Sequence, residues 1–221
     1  MAGVDESKRS AAVRAAVEVE DGWTVGLGTG STANLFIQAL GERIKKEKLS
    51  ITGVPTSKAT EAFAKNNGIP IKELNDVDRI QVTVDGADEV NKKLNMIKGA
   101  GGALTREKIV ATSSEDYVVI VDESKLVKKL GGVPVPVEVL SFAENLVFME
   151  LRELEGTPVI RKGFTTDNGN PIIDCKIDVH DALDLEGMLN NIPGVIDNGI
   201  FAMTTPSRVY VGKGKNVEEL K

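Results

Sequence analysis

The sequence predicts an α/β protein. The first domain is expected to be a mostly parallel, Rossmann-like sheet with helices on both faces, and the second a small ferredoxin-like α+β domain. Up to about residue 130, short apolar runs alternate with helical patterns, and such alternation builds a parallel sheet covered by helices. From Val133 the rhythm changes to a βαββαβ order, the split unit of ferredoxin-like domains. The segments 28–32, 85–88 and 122–125 each follow an expected strand directly. That puts them at the carboxyl ends of the strands, where the ligand crevice of an open α/β sheet lies.

In the first domain, residues 23–27, 51–54, 80–84 and 117–121 read as strands. The segments near 5–20, 31–47, 57–67 and 105–112 read as helices. In the second of these, Ala33, Phe36, Ile37, Leu40 and Ile44 recur at three- and four-residue steps and form one apolar face. In the second domain, 135–139 reads as a strand and 141–154 as a helix. Residues 157–162 and 171–177 read as strands joined by the turn 167–170, residues 181–191 as a helix, and Val195 and Ile196 begin a last strand. Residues 208–211 form one more short strand that returns to the first sheet. The expected division is 1–130 plus 205–221 for the α/β domain and 131–204 for the insertion.

A net charge of −6 and a pI near 5.1 argue against a general nucleic-acid binder. No apolar run approaches the roughly 18–20 residues that a membrane span needs. The first residues scatter charges where a signal peptide carries an apolar core, so a cytoplasmic location is expected. The single cysteine, Cys175, and the single histidine, His180, cannot build a zinc site. Cys175 alternates with Asp174 and Lys176 in step with Ile173 and Ile177, which puts its thiol on the buried face of a strand. His180 lies beside Asp181 at a strand-to-helix turn with no partner that suits catalysis.

The chemistry concentrates in two segments. Residues 84–108, VDGADEVNKKLNMIKGAGGALTREK, hold Asp85, Asp88, Lys98 and Glu107 around a glycine run. Carboxylates and a lysine on permissive backbone suit proton transfer next to a carbonyl, with a base for the proton and a cation for the oxyanion. A solvated polar loop followed by an Arg-Glu-Lys helix start is the bland alternative. Residues 25–32, VGLGTGST, lie between a short apolar strand and an amphipathic helix. Glycine permits the sharp turn, and the free N–H groups of the helix start point toward an anion, with Thr29, Ser31 and Thr32 as hydroxyl donors. A plain tight turn fits this segment equally well. A P-loop would place a lysine after the last glycine, and Gly30 is followed by Ser31 and Thr32. A dinucleotide site would place a carboxylate at the end of the next strand, and PTSK at 55–58 has none. A small phosphorylated ligand remains.

With these motifs in order, the chain resembles the ribose-5-phosphate isomerase type A family over essentially its whole length. The resemblance rests on GLGTGST at 26–32, VDGADE at 84–89, KGAGGALTREK at 98–108 and DESK at 122–125, supported by PVPVEV at 134–139 and TDNGN at 166–170. Ala100 stands where the family's run usually has glycine, a change that removes no catalytic atom. The resemblance implies interconversion of ribose 5-phosphate and ribulose 5-phosphate through an enediolate, with no metal or other cofactor, in a homodimer or homotetramer. Glu107 is then the expected base, near the positive end of a helix that Thr105 is expected to cap. Asp85 assists ring opening, Asp88 orients hydroxyls, and Lys98 steadies the oxyanion. Gly86, Ala87, Gly99, Ala100 and Gly101 supply backbone that approaches the sugar. Thr29, Gly30, Ser31 and Thr32 hold the phosphate, with Lys125 and Lys8 matched to ligand-binding lysines. Three competitors stand beside this reading. A sugar-phosphate deaminase would be expected to use a histidine. A CoA-transferase-type enzyme would form a thioester on a glutamate. A non-catalytic sugar-phosphate sensor would need a DNA-reading module, for which a single helix before Val25 leaves no room.

Overall fold

The computed structural model describes residues 2–221. The chain opens with α1 (Ala2–Ala16), β1 (Thr24–Leu27), α2 (Ser31–Glu47), β2 (Thr52–Pro55), α3 (Lys58–Asn66) and β3 (Ile80–Asp85). Then come β4 (Glu89–Val90), β5 (Met96–Ile97), α4 (Leu104–Thr112), β6 (Ser114–Asp122), β7 (Val135–Val139) and α5 (Glu144–Glu153). The remainder is β8 (Thr157–Ile160), β9 (Ile172–Lys176), α6 (Ala182–Asn190), β10 (Val195–Asn198), β11 (Ile200–Phe201), β12 (Arg208–Lys213) and β13 (Asn216–Leu220). These elements form two compact units.

The first unit comprises residues 2–86, Arg106–Lys125 and Pro206–Lys221. Its six-stranded sheet runs β13-β12-β6-β3-β1-β2, parallel throughout except for the antiparallel edge strand β13. Helices cover both sides. Val25, Leu27, Val82, Val84, Val118 and Ile120 join Ala11, Ala12, Ala15, Phe36, Ile37 and Leu40 in one core, so α1 and α2 share a face of the sheet. On the opposite face Thr83 donates to the Val110 carbonyl of α4 at 3.4 Å. Helix α2 starts at Gly30, whose φ of 118° is open to glycine and strained for other residues. It ends at Lys48 in the left-handed region, with the Lys48 N–H returned to the Ile44 carbonyl. Helix α3 starts on Ser57, which accepts from the Thr60 N–H.

The second unit comprises Ala87–Thr105 and Leu126–Thr205. Its four-stranded sheet, β10-β7-β9-β8, is antiparallel at every pairing and has the strand order of a ferredoxin-like split unit. Its core joins Val135, Val137, Val139, Val147, Leu151, Ile173, Leu185 and Leu189, the inward residues of the strands and of α5 and α6. A three-stranded sheet, β11-β5-β4, completes the unit.

The expected strands and helices are present, most with ends shifted by a few residues, while α2 and β7 keep their expected spans. The helix expected over 141–154 is divided, because a 3-10 turn, Ser141–Ala143, precedes α5. Strand β13 is not among the expected elements: NVEEL is polar and pairs with β12 alone at the sheet edge. Strands β4, β5 and β11 have two residues each, too few to show a period. The unit boundaries also differ from the expected division, since Ala87–Thr105 belongs to the second unit. Among the described residues no helix is long and apolar enough to cross a membrane.

Cys175 lies in β9 with none of its surface exposed, and burial pushes its thiol up to about 11. At pH 8 the native protein is expected to leave Cys175 unmodified by a disulfide-exchange reagent, with stoichiometric labelling once urea unfolds it. Rapid labelling of the folded protein would contradict this packing.

Candidate active site

Parallel pairing fixes where the first unit's motifs lie. Leu27 pairs with Val84 and with Pro55, and Asp85 pairs with Val119, so β1, β3 and β6 deliver their last residues to one edge of the sheet. The 28–32 turn follows β1, Asp85 ends β3, and Asp122 ends β6.

Asp85 organises this edge. It is 1% exposed, and its Oδ1 accepts from the Thr29 N–H at 3.1 Å and the Gly86 N–H at 2.7 Å. Gly28 makes that approach possible, because a Cβ there would lie 2.1 Å from Asp85 Oδ1 and 2.6 Å from its Cα. The Gly28 N–H donates to the Val84 carbonyl, which ties the turn to β3 from the other direction. The Thr29 hydroxyl sits among those of Thr56, Ser57 and Thr60, at 2.8, 2.9 and 2.9 Å. Thr60 in turn donates to the Gly28 carbonyl. The turn is therefore held by hydroxyls that come after β2, residues whose local sequence carries no sign of this contact. Thr56 and Ser57 stand in the PTSK segment, which the sequence marks only by its lack of a carboxylate.

Ser31 and Thr32 open α2 behind Gly30, so the N–H groups of its first turn face out of the helix. Lys8 reaches this turn from α1 and donates to Ser31 Oγ at 3.1 Å. Lys125 closes the 3-10 turn Glu123–Lys125 after β6. That turn is capped by Asp122, whose Oδ1 accepts from both the N–H and the hydroxyl of Ser124. Glu107 lies in the first turn of α4 and is 4% exposed. The helix begins at Leu104, one residue before Thr105, so Thr105 stands inside the first turn and does not cap it. Its hydroxyl donates to Glu138 at 2.5 Å.

The second unit carries Ala87, Asp88, Lys98 and the glycine run. The Asp88 N–H donates to the Ile97 carbonyl, and its Oδ2 accepts from the Ala100 N–H at 2.9 Å. Glu89 beside it is structural: buried, it accepts from the Gly131 and Val133 N–H groups. Lys98 is 2% exposed, with its ammonium 5.4 Å from the Phe201 ring centroid. Gly99 has a φ of 99°, and its carbonyl accepts from the Gly102 N–H in a tight turn, while Ala100 and Gly101 are exposed at the tip. Arg161 donates to the Ala100 carbonyl at 3.1 Å and pairs through both ends of its guanidinium with Asp174. No sequence signal points to Arg161, 61 residues away from its partner. Among the described residues, no cluster of His, Cys, Asp and Glu could hold a metal ion.

Direct contacts thus join Lys8 to Ser31, Asp85 to Thr29 and Gly86, and Asp88 to Ala100. Asp85, Lys98 and Glu107 are nearly buried polar side chains at element ends.

A family model for ribose 5-phosphate isomerase A (phosphoriboisomerase A) matches residues 52–216. The chain belongs to this family. It is 49% identical to a ribose-5-phosphate isomerase A of Methanococcus maripaludis, an alignment covering 98% of this chain and 93% of that one. The solved ribose 5-phosphate isomerase A of Methanocaldococcus jannaschii superposes with a TM-score of 0.93 at 47% identity, covering 97% of each chain. A solved D-ribose-5-phosphate isomerase in complex with phospho-erythronic acid superposes with a TM-score of 0.95 at 46% identity, covering 99% of each chain.

Gly28→Ala tests how tightly the isomerase turn is built on Asp85. Its Cβ must push Asp85 or the end of β1 aside, and overpacking of this kind costs about 1–3 kcal/mol. A urea melt should show a correspondingly lower midpoint, whereas an unchanged midpoint would mean that the strand ends have slack.

Proposed function

We propose that this chain interconverts D-ribose 5-phosphate and D-ribulose 5-phosphate by moving a proton between C2 and C1 through an enediolate. The observation that carries the reading is Glu107: a nearly buried carboxylate in the first turn of α4, directly after the glycine run. The related isomerase solved with phospho-erythronic acid supports it, because that ligand pairs a phosphate with a planar carboxylate, the shape and charge of an enediolate phosphate. Family membership and the match over nearly the whole chain disfavour the deaminase, transferase and sensor alternatives.

In this mechanism Glu107 takes the C2 proton of the open-chain aldose and returns it to C1, while a proton passes from O2 to O1. The positive end of α4 favours its carboxylate form. The Lys98 ammonium balances charge on the oxygens as the enediolate forms. Asp85, held through Oδ1 by the Thr29 and Gly86 N–H groups, shuttles the hydroxyl proton during ring opening. Asp88 orients the sugar hydroxyls. Gly86, Ala87, Gly99, Ala100 and Gly101 offer main-chain groups to the sugar. The phosphate is held by the 29–32 turn, with the N–H groups and hydroxyls of Ser31 and Thr32 as donors. Lys8, already at Ser31, and Lys125 add positive charge. The chain works without a cofactor, in the cytoplasm, as a homodimer or homotetramer.

Proton NMR of ribose 5-phosphate in D₂O with EDTA-treated protein is the direct test. The expected result is conversion to ribulose 5-phosphate with deuterium entering at C1. Glu107→Gln is expected to lower kcat by about 10²–10⁴-fold, the usual contribution of a positioned base, with ligand affinity nearly intact. Near-normal turnover in Glu107→Gln would remove the residue from its role, and an unchanged spectrum with the wild-type protein would remove the function.

A further inference from the structure

Two of the family motifs, PVPVEV at 134–139 and TDNGN at 166–170, have no part in the proposed mechanism. In the structure they meet at Glu138. This residue sits on β7 with none of its surface exposed, inside the second unit. Its Oε1 accepts from the Thr166 hydroxyl at 2.8 Å, the Asn170 amide at 2.8 Å and the Asn168 amide at 3.1 Å. Its Oε2 accepts from the Thr105 hydroxyl at 2.5 Å and more distantly from Asn168 at 3.4 Å. A buried carboxylate is costly unless its lone pairs are satisfied, and here donors surround both oxygens.

The TDNGN turn is shaped to present those donors. The Thr166 N–H donates to the Asn170 carbonyl, and the Gly169 N–H to the Thr166 carbonyl. The Thr166 hydroxyl also accepts from the N–H groups of Asn168 and Asn170, at 3.3 and 3.2 Å. Anchoring that turn accounts for the contacts to Thr166, Asn168 and Asn170. The bond to Thr105 has a different consequence. Thr105 is the second residue of α4 and stands two before Glu107, on a nine-residue helix. The segment entering the helix is the glycine run, with positive φ at Gly99 and Gly102, and its own bonds hold it at Gly99, Ala100 and Gly102, ahead of the helix. The 2.5 Å bond that Thr105 donates to the fully buried Glu138 carboxylate holds the first turn itself.

We propose that Glu138 is a positioning residue for the isomerisation: by holding the Thr105 hydroxyl it fixes the first turn of α4 and the direction of Glu107. The inference rests on Glu107 as the base. The step it serves is the transfer of the C2 proton, where a displacement of the base by about 1 Å costs on the order of 10²-fold.

Substituting Glu138 itself would strand the donors of Thr166, Asn168 and Asn170 in the interior, so the test is made at Thr105. Thr105→Val removes the hydroxyl at nearly constant shape, and Thr105→Ser retains it. For folded Thr105→Val, kcat is expected to fall about 10–100-fold with KM within about threefold of wild type, the signature of an interaction lost mainly in the transition state. The primary isotope effect with C2-deuterated ribose 5-phosphate should rise as proton transfer becomes slower. Thr105→Ser should restore kcat to within about threefold. Wild-type kcat and isotope effect in folded Thr105→Val would overturn the proposal, as would a Thr105→Ser variant as slow as Thr105→Val. Glu107→Gln separates the two failures. If that variant is inactive while Thr105→Val is normal, only the positioning role is lost; if it is active, the base assignment falls as well.

Discussion

The contact between Gly28 and Asp85 is the constraint on which the candidate residues of the first unit depend. β1 and β3 are parallel neighbours, so the residues just beyond their ends emerge side by side. A side chain at position 28 would occupy the space of the Asp85 carboxylate. Because Gly28 has none, Asp85 can turn toward the loop and accept from the Thr29 and Gly86 N–H groups. Those bonds set the path of the chain into Gly30 and α2, and hence the direction in which the first-turn amides of that helix point. The hydroxyls of Thr56, Ser57 and Thr60 hold the same turn from the β2 side. The loop is thus over-determined, held by bonds from both the β2 and the β3 side.

The second unit solves a related problem with buried glutamates. Glu89 accepts from the Gly131 and Val133 N–H groups, and Glu186 from the Ala202 and Met203 N–H groups. Glu138 gathers Thr105, Thr166, Asn168 and Asn170. In each case a carboxylate with little or no exposure serves segments that lack regular pairing. Apolar packing could bury these segments but could not satisfy their polar groups or choose among nearby backbone paths, whereas directional bonds do both. The glycine run is treated in the same way, with Asp88 accepting from the Ala100 N–H and Arg161 donating to the Ala100 carbonyl. A flexible sequence is thereby given a defined shape.

The candidate residues were legible because their types and spacing are constrained locally. Glycines and hydroxyls at a strand-to-helix turn, and carboxylates at a strand end, are signals of a few residues' reach. Helix α2 matched its expected span for the same reason, with a glycine start and a steady apolar face. Residues that act across long sequence separations carry no such signal. Arg161 and Glu138 reach their partners 61 and 33 residues away; PVPVEV marks the segment around Glu138, but nothing local to either residue identifies its partner. The N-cap reading of Thr105 failed on the same ground. Threonine ahead of a helix usually caps it, but here the helix starts one residue earlier and the hydroxyl has a stronger partner in Glu138.

By itself, the sequence determined the two architectures, the strands that lead into the candidate motifs and the family, because periodicity and short motifs are properties of neighbouring residues. It also determined that Cys175 would be packed away, since period-two alternation fixes which face a strand residue takes. Only the tertiary structure decided that Ala87–Thr105 packs with the ferredoxin-like unit, that NVEEL pairs as an edge strand, and that TDNGN turns its donors onto Glu138. Those outcomes depend on which distant groups can satisfy a buried polar atom or an open strand edge. That choice arises only when the chain has folded and water has been excluded.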